Sequence, residues 1–399
     1  MILVYPKYDK AALEKADIEL TELSKKIVIK DKKIKIKNAV KDFFKSFFCF
    51  LSLIFSKKDD SKVYIAVVPA GGMGDVIRQG DAISMLGDLF PSVVIDIYGR
   101  RSKRFLSGIK NIRFFIDKNA VIISRKKYDI VVDFSCKVSS GIADIKINNP
   151  KNDLIKKFAV GFEEIKRKYP YCFNVNNQYI FQKIAVENGL KIFDVMKLTS
   201  GVKDVKKNKL TLNYKDQDIK KFGLSKSDKY ITFQHGWGNK GYISGKTGMS
   251  LKLWETENWK NLLGVIKREL KDYDYKIVQI GINSAKFEEV DIDLNGKTSF
   301  DELCTVLKYS SLHIDTDCGC VHVAKVLNVQ SVVLFGPTNT EYICYDNNIN
   351  VMSGLCKNCY IMVEDTVLPC VRGFAKPLCM NSITPDFVAK IVLEHLRGV

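Results

Sequence analysis

The stretch Ile314-Asp315-Thr316-Asp317-Cys318-Gly319-Cys320-Val321-His322-Val323-Ala324 places carboxylates, thiols, a glycine and a histidine in eleven consecutive residues. Val332-Val333-Leu334-Phe335-Gly336-Pro337-Thr338 follows it. The pattern reads as strand, tight turn, helix, strand, tight turn. The Asp317-x-Gly319 turn sets unpaired backbone N–H groups and a helix N-terminus at the carboxyl end of a strand. Such an end carries about half a positive charge and suits a phosphate. A second unit of this type is Ala70-Gly71-Gly72-Met73-Gly74-Asp75 after the apolar run Val63–Pro69. Asp75 in that turn has two compatible readings: a cap for the helix that follows, or a general base at the mouth of a cleft. His322 reads either as a contact to a bound anion or as a buried histidine bonded to a neighbouring loop. His235, just after an apolar run, has the same two readings.

A third constellation is Cys356-x2-Cys359-x10-Cys370-x8-Cys379. Four thiols at this spacing suit one tetrahedral metal site, and Pro369, Gly373 and Pro377 supply turns to fold the loop around it. Thiolate-only ligation selects zinc or iron. It leaves no open coordination position, so the expected role is structural. The other reading is four separate free thiols.

Elements must hold these groups in place. Val63–Pro69 is apolar throughout, as in a parallel strand covered on both faces. A helix is expected over Val76–Leu89, and strands over Val93–Tyr98 and Tyr128–Phe134. Asn148–Asn177 shows no clear period and reads as an insertion, and Gln178–Asn188 reads as a helix. A polar stretch, Lys203–Lys229, reads as a linker. Beyond it we expect a strand over Tyr230–Gln234, a Gly-rich loop His235–Gly241, and a helix over Trp254–Leu270 with Trp259, Leu262, Leu263 and Ile266 on one face. A strand over Lys276–Gly281, a short Ser-capped helix over Ser299–Leu307 and a final helix over Pro385–Leu396 complete the set. Strands alternating with helices define an α/β chain of doubly wound domains. Two phosphate-type turns imply two such domains facing a cleft. The divisions are 1–61, 62–205 and 206–399, with the cysteine loop, 356–379, in the last.

The chain has 399 residues, a hydrophobic fraction of 46% and a net charge of +18. That surplus favours anionic partners: nucleotide-sugars, phosphorylated glycolipid or an anionic membrane surface. No RNA- or DNA-binding motif is present, and nucleic acid is not an expected partner. Residues 1–61 form a Lys-rich extension with the aromatic run Phe43–Phe55. That run is too short to span a bilayer. It suits the membrane interface, or packing on the chain itself or on a second copy in a homo-oligomer. The first thirty residues lack a signal-peptide pattern, so the expected location is the cytoplasm, with a peripheral position at the inner face of the membrane as one reading.

The order and spacing of these motifs resemble glycosyltransferase family 9, the heptosyltransferases. Gly74-Asp75 with Phe90-Pro91, then Lys252, Trp254 and Trp259, then Asp317–Ala324, then Phe335–Thr338 follow that family's pattern over roughly Val63 to Leu396. Two departures are Cys318, where a small hydroxyl residue is usual, and Glu255, where proline is usual. The resemblance implies a GT-B architecture of two Rossmann-like domains, with a final helix that crosses back to the first. It implies an inverting transferase that moves heptose from ADP-heptose to an acceptor hydroxyl, with Asp75 as base. Lys252, Asp317, Cys318, Gly319, His322, His235 and Thr338 fall on the donor side. Donor binds the C-terminal domain and acceptor the N-terminal one. Lys252 and the Gly319 turn meet the leaving phosphates, and no catalytic metal is expected. The Gly72–Asp75 turn, the extension and the four cysteines are similar to the branch that glycosylates autotransporter proteins and carries an iron finger. Autotransporter serine and lipopolysaccharide core are therefore both candidate acceptors. A non-catalytic nucleotide-sugar-binding scaffold and a nucleotide-sugar epimerase of related fold are the rival functions.

Overall fold

The structure is a computed structural model that describes residues 59–116, 127–137, 141–148, 152–174, 178–205, 210–235, 242–243, 246–247, 251–282, 284–356, 358–359, 370, 374 and 376–398. The chain divides into two units, Met1–Asp59 and Asp60–Val399. The aromatic run of the N-terminal extension and the loop 236–241 lie outside the described residues. Everything below concerns the second unit.

Its first sheet has the order β3-β2-β1-β4-β5. The strands are β1 Val63–Val68, β2 Val93–Tyr98, β3 Ile112–Ile116, β4 Ile130–Lys137 and β5 Ile142–Ile147. All pairs are parallel except β4 with β5. Every residue of β1 is buried, as its unbroken apolar run requires. The second sheet is wholly parallel, in the order β10-β9-β6-β11-β12-β13. It comprises β6 Lys229–Gln234, β9 Tyr275–Ile280, β10 Ile292–Asp293, β11 Leu312–Thr316, β12 Ser331–Phe335 and β13 Ile349–Met352. A small hairpin, β7 Tyr242–Ile243 with β8 Lys246–Thr247, stands apart from both. In each sheet the strand order reverses direction at one point, between β1 and β4 and between β6 and β11. Ligands of open α/β sheets bind outside the carboxyl ends of the strands at such points. Those ends carry Gly71–Asp75 in one sheet, and His235 and Asp317 in the other.

The main helices are α1 Met73–Leu86, α2 Asp153–Lys168, α3 Gln178–Glu187, α4 Ile192–Thr199, α5 Thr256–Glu269, α6 Phe300–Lys308, α7 Gly319–Val326 and α8 Pro385–Arg397. Three sequence expectations are corrected here. Helix α1 begins at Met73, three residues before the expected start, so Asp75 sits inside its first turn. The segment read as lacking a period contains α2, which buries Ile155, Phe162 and Ile165 and is capped by Asn152. Its lysines and glutamates mask an apolar stripe that does repeat at helical spacing. Helix α8 does not act as a strap to the first sheet. It packs along α5, with Val388, Ala389, Val392 and Leu393 in the same core as Trp259, Leu262, Leu263 and Ile266.

A single apolar core joins the two halves. It runs from β1, α1 and α4 to Cys318, Cys320, Val323 and Ala324 of the second sheet's layer. Two glycines stand at the contact. A Cβ on Gly74 would lie 2.4 Å from His322 Cδ2, and one on Gly319 would lie 2.7 Å from Met73 Cε. A side chain on Gly74 would run into the His322 ring, whereas one on Gly319 would meet only the flexible end of Met73, so the close approach of the first turns of α1 and α7 depends chiefly on Gly74.

Candidate functional site

The turn after β1 is held by its own helix. Gln79, fully buried, accepts from the Ala70 N–H at 3.1 Å and donates to the Ala70 carbonyl at 2.9 Å. Gly71 has φ +94, and a Cβ there would lie 2.3 Å from Asp75 Oδ2. The turn therefore needs glycine both for its backbone and for the space beside the carboxylate. Asp75 Oδ2 accepts from the Gly72 N–H at 2.8 Å, closing the helix start. Its other oxygen accepts from the Arg78 guanidinium, one turn further along α1. Asp75 thus fills the capping role and also offers a side chain that is 26% exposed.

The turn after β11 is more buried. Asp317 Oδ2 accepts from Lys252 Nζ at 2.5 Å and from Thr338 Oγ1 at 3.0 Å. Burial alone would raise this carboxyl, but Lys252, His322 and Arg78 hold it down at about 2. Lys252 and Asp317 lie 65 positions apart in sequence, and the charge expected to meet leaving phosphates is paired within the protein. Asp315 points the other way. It is fully buried and accepts from Cys318 Sγ at 2.7 Å, from the Thr316 N–H at 2.7 Å and pairs with His313 Nε2 at 3.1 Å. Burial raises its pKa despite these partners. The two carboxylates of Asp315-Thr316-Asp317 diverge because the strand ends at Thr316, so they do not form one joint ligand pair. Cys318 stands at the N-cap position of α7 but makes no side-chain cap bond, its thiol donating instead to buried Asp315.

His322 is 5% exposed, and its Nδ1 meets the Tyr345 hydroxyl at 2.8 Å. Burial, with Arg78 beside it, pushes its pKa down to about 3. The ring is neutral at physiological pH and serves by hydrogen bonding, not by charge. His235 has both ring nitrogens engaged: Nε2 with Thr256 Oγ1 at 3.1 Å, and Nδ1 accepting from the Ala285 N–H at 3.3 Å. It braces α5 against the following loop. Thr338 is buried and reaches Asp317 from the Gly336-Pro337 turn.

The structure brings Asp75, Lys252, Asp317, Gly319, His322 and Thr338 to one place, where α1 and α7 begin. His235 sits to one side, on Thr256. Arg78 and Tyr345 complete the cluster and are absent from the sequence reading. Arg78 follows Asp75 at i+3 on a helix, a spacing that pairs opposite charges and could have exposed it. Tyr345 carries no local signal.

Cys356, Cys359, Cys370 and Cys379 are all buried. The Cys379 thiol is pushed up to about 12 by burial and by the other three cysteines nearby. A Cβ on Gly336 would stand 3.3 Å from Cys379 Sγ, so this loop backs directly onto the turn that carries Thr338. Among the described residues, no three His, Cys, Asp or Glu side chains are grouped tightly enough to hold a metal ion.

Comparison with known proteins gives the fold and the family. Among solved structures, the iron-containing dodecameric glycosyltransferase TibC from enterotoxigenic E. coli H10407 superposes with a TM-score of 0.56 at 14% identity, over 84% of this chain and 76% of that one. The ADP-heptose lipopolysaccharide heptosyltransferase II of E. coli gives 0.51 at 16% identity, over 84% and 99%. These likenesses establish the fold, a GT-B pair of α/β halves. Lipopolysaccharide heptosyltransferase 1 of Campylobacter coli is 25% identical over 312 residues, 72% of this chain and 87% of that protein. Residues 122–368, more than half the chain, match the family model of glycosyltransferase family 9 (heptosyltransferase). The span begins beyond Asp75 but takes in Lys252, the Asp317–His322 turn and Thr338, where two helix N-termini and a buried Lys–Asp pair converge. The chain belongs to glycosyltransferase family 9, and the protein is a glycosyltransferase.

Proposed function

We propose that this enzyme transfers heptose from ADP-heptose to an acceptor hydroxyl with inversion. The observation that carries the reading is the abutment of the first turn of α1, bearing Asp75, on the first turn of α7, bearing Gly319 and flanked by Lys252 and Asp317. Residues 206–399 bind the donor and 62–205 present the acceptor. Asp75 takes the proton of the acceptor hydroxyl as its oxygen attacks the anomeric carbon. The bond from that carbon to the phosphate oxygen breaks, and ADP leaves with the electron pair. Backbone N–H groups of α7 and the Lys252 ammonium receive the charge that develops on the diphosphate. His322, neutral, holds Tyr345 and packs the two helix starts together. The family match and the Campylobacter relative support a heptosyl donor. A structure of TibC with ADP-D-β-D-heptose, TM-score 0.56, has the same fold. Calorimetric titration with ADP, UDP, GDP and CDP tests the donor. We expect selective ADP binding; selective binding of another nucleotide discards the heptose donor and keeps the transferase.

The acceptor is a serine of an autotransporter protein or the lipopolysaccharide core. The four-cysteine loop favours the first. The basic extension and the Campylobacter relative's name favour the second. Radiolabel from the donor, traced to protein or to lipid, separates them. We place the reaction in the cytoplasm, with the basic extension available for the inner membrane surface or for self-association. Among the described residues no helix is long and apolar enough to cross a membrane.

We further propose that Cys356, Cys359, Cys370 and Cys379 hold a structural iron or zinc ion. The donor set suits a thiolate-bound metal, and all four cysteines are buried. These four cysteines would hold the ion as a structural cross-link, outside the transfer itself. Elemental analysis of purified protein is expected to find about one metal ion per chain, as one four-thiolate site requires. Less than a tenth of that would remove the proposal.

A further inference from the structure

Arg78 has no part in the reaction as derived above, yet it lies in the middle of the site. Its side chain is only 9% exposed. The guanidinium donates to Asp75, while its buried Nε has no hydrogen-bond partner among the described residues. Burial works against the charge, but Asp75, Asp317 and Tyr345 outweigh it, and the pKa of Arg78 is raised. A guanidinium has five N–H donors in a rigid fork that matches carboxylate and phosphate oxygens. A buried fork with an open donor, facing the start of two helices, is suited to an anionic oxygen.

Asp75 shows the complementary feature. One oxygen accepts from the Gly72 N–H and the other from Arg78. Both oxygens of Asp75 are thus occupied, and an acceptor hydroxyl gains a place on one of them only when its present donor withdraws. The Gly72 N–H belongs to the helix cap and stays. Arg78 sits on a flexible side chain and can move.

We infer that Arg78 is an exchangeable clamp, pairing with Asp75 in the empty enzyme and with the donor's diphosphate once donor is bound, which frees Asp75 for the acceptor hydroxyl. The inference rests on the donor reading above. It makes donor binding the event that opens Asp75 to the acceptor. Donor then binds before acceptor, and the empty site holds its base in check. Lys252 and Asp317 form a second pair of the same kind, so a diphosphate meets two cations already set at the cleft.

The test uses the full chain and calorimetry with ADP and AMP. Arg78→Met is expected to weaken ADP binding by tenfold or more and to leave AMP binding within about twofold, because AMP lacks the second phosphate; tenfold corresponds to about 1.4 kcal/mol. Arg78→Lys keeps the charge but loses the fork, and is expected to recover part of the ADP affinity. Thermal melting of the empty proteins shows whether Arg78→Met is folded. If it is not, the comparison of Arg78→Lys with the parent chain decides, since loss of the fork alone must narrow the preference for ADP over AMP. Equal ADP binding by parent and folded Arg78→Met overturns the clamp while leaving the donor reading intact. Failure of the parent chain to bind ADP overturns both.

Discussion

Asp75→Asn is expected to lose transfer by about a thousandfold while still binding nucleotide, because general-base catalysis by a positioned carboxylate contributes roughly 10²–10⁴. Asparagine keeps the size of the side chain and one acceptor oxygen, so the cap on the Gly72 N–H can persist. It cannot take up the proton of an acceptor hydroxyl. Because the amide of this variant is neutral, it also releases Arg78, and ADP affinity is expected to hold or rise. Steady-state transfer and calorimetry on the same preparation check both halves. Transfer within threefold of the parent chain would remove Asp75 as the base and leave it as a cap. Loss of nucleotide binding together with activity would place its role in folding the turn, a possibility that thermal melting separates.

Lys252→Met is expected to be the most destabilising single change in the site. Asp317 is 8% exposed and its carboxyl is held at about 2, chiefly by Lys252 against the cost of burial. Removing the cation leaves a buried charge without its partner, which typically costs about 3–5 kcal/mol. The dependence on pH follows from the sign of the shift. The folded pKa lies below the value of about 3.9 in the unfolded chain, so the parent gains stability above that value and loses it as pH falls toward 2. In Lys252→Met the largest depressing influence is gone and burial drives the carboxyl upward, so it takes up a proton at higher pH. The stability gap between the two proteins is therefore expected to be widest near pH 7 and to narrow as the medium is acidified. Urea unfolding at pH 7 and pH 4.5 measures it. A gap that stays constant or widens on acidification would mean that the pair is not what holds Asp317 ionised. ADP binding should also weaken, because one of the cations that meets the diphosphate is lost.

Membership of a transferase family sets aside the scaffold and epimerase readings that the residues alone left open. The residues that the resemblance assigns to the donor side separate by what each one touches. Lys252, Asp317 and Thr338 form one hydrogen-bonded set, and Gly319 is a point of helix contact. Cys318 and His235 are committed to partners within the fold, Asp315 and Thr256. The Cys318 thiol donates to the buried Asp315 carboxylate, a contact that a hydroxyl could also make, so nothing in the structure explains the replacement.

Local patterns determined much of this protein. The apolar run of β1, the Gly-rich turn after it, the Ser299 and Thr384 caps and the stripe on α5 were legible because each depends on residues within a few positions of one another. The glycine turns before α1 and α7 were legible for the same reason. Helix α2 was not, because surface charges outnumbered its buried positions, and the true start of α1 was not, because Met73-Gly74 have no local signal for helix. Only the tertiary structure decided that Gly74 packs on Gly319, that Lys252 pairs with Asp317 and that His322 is neutral. Those outcomes depend on burial and on partners far apart in the chain, and a charge or a proton affinity is set by what surrounds a group after the sheets have closed over it.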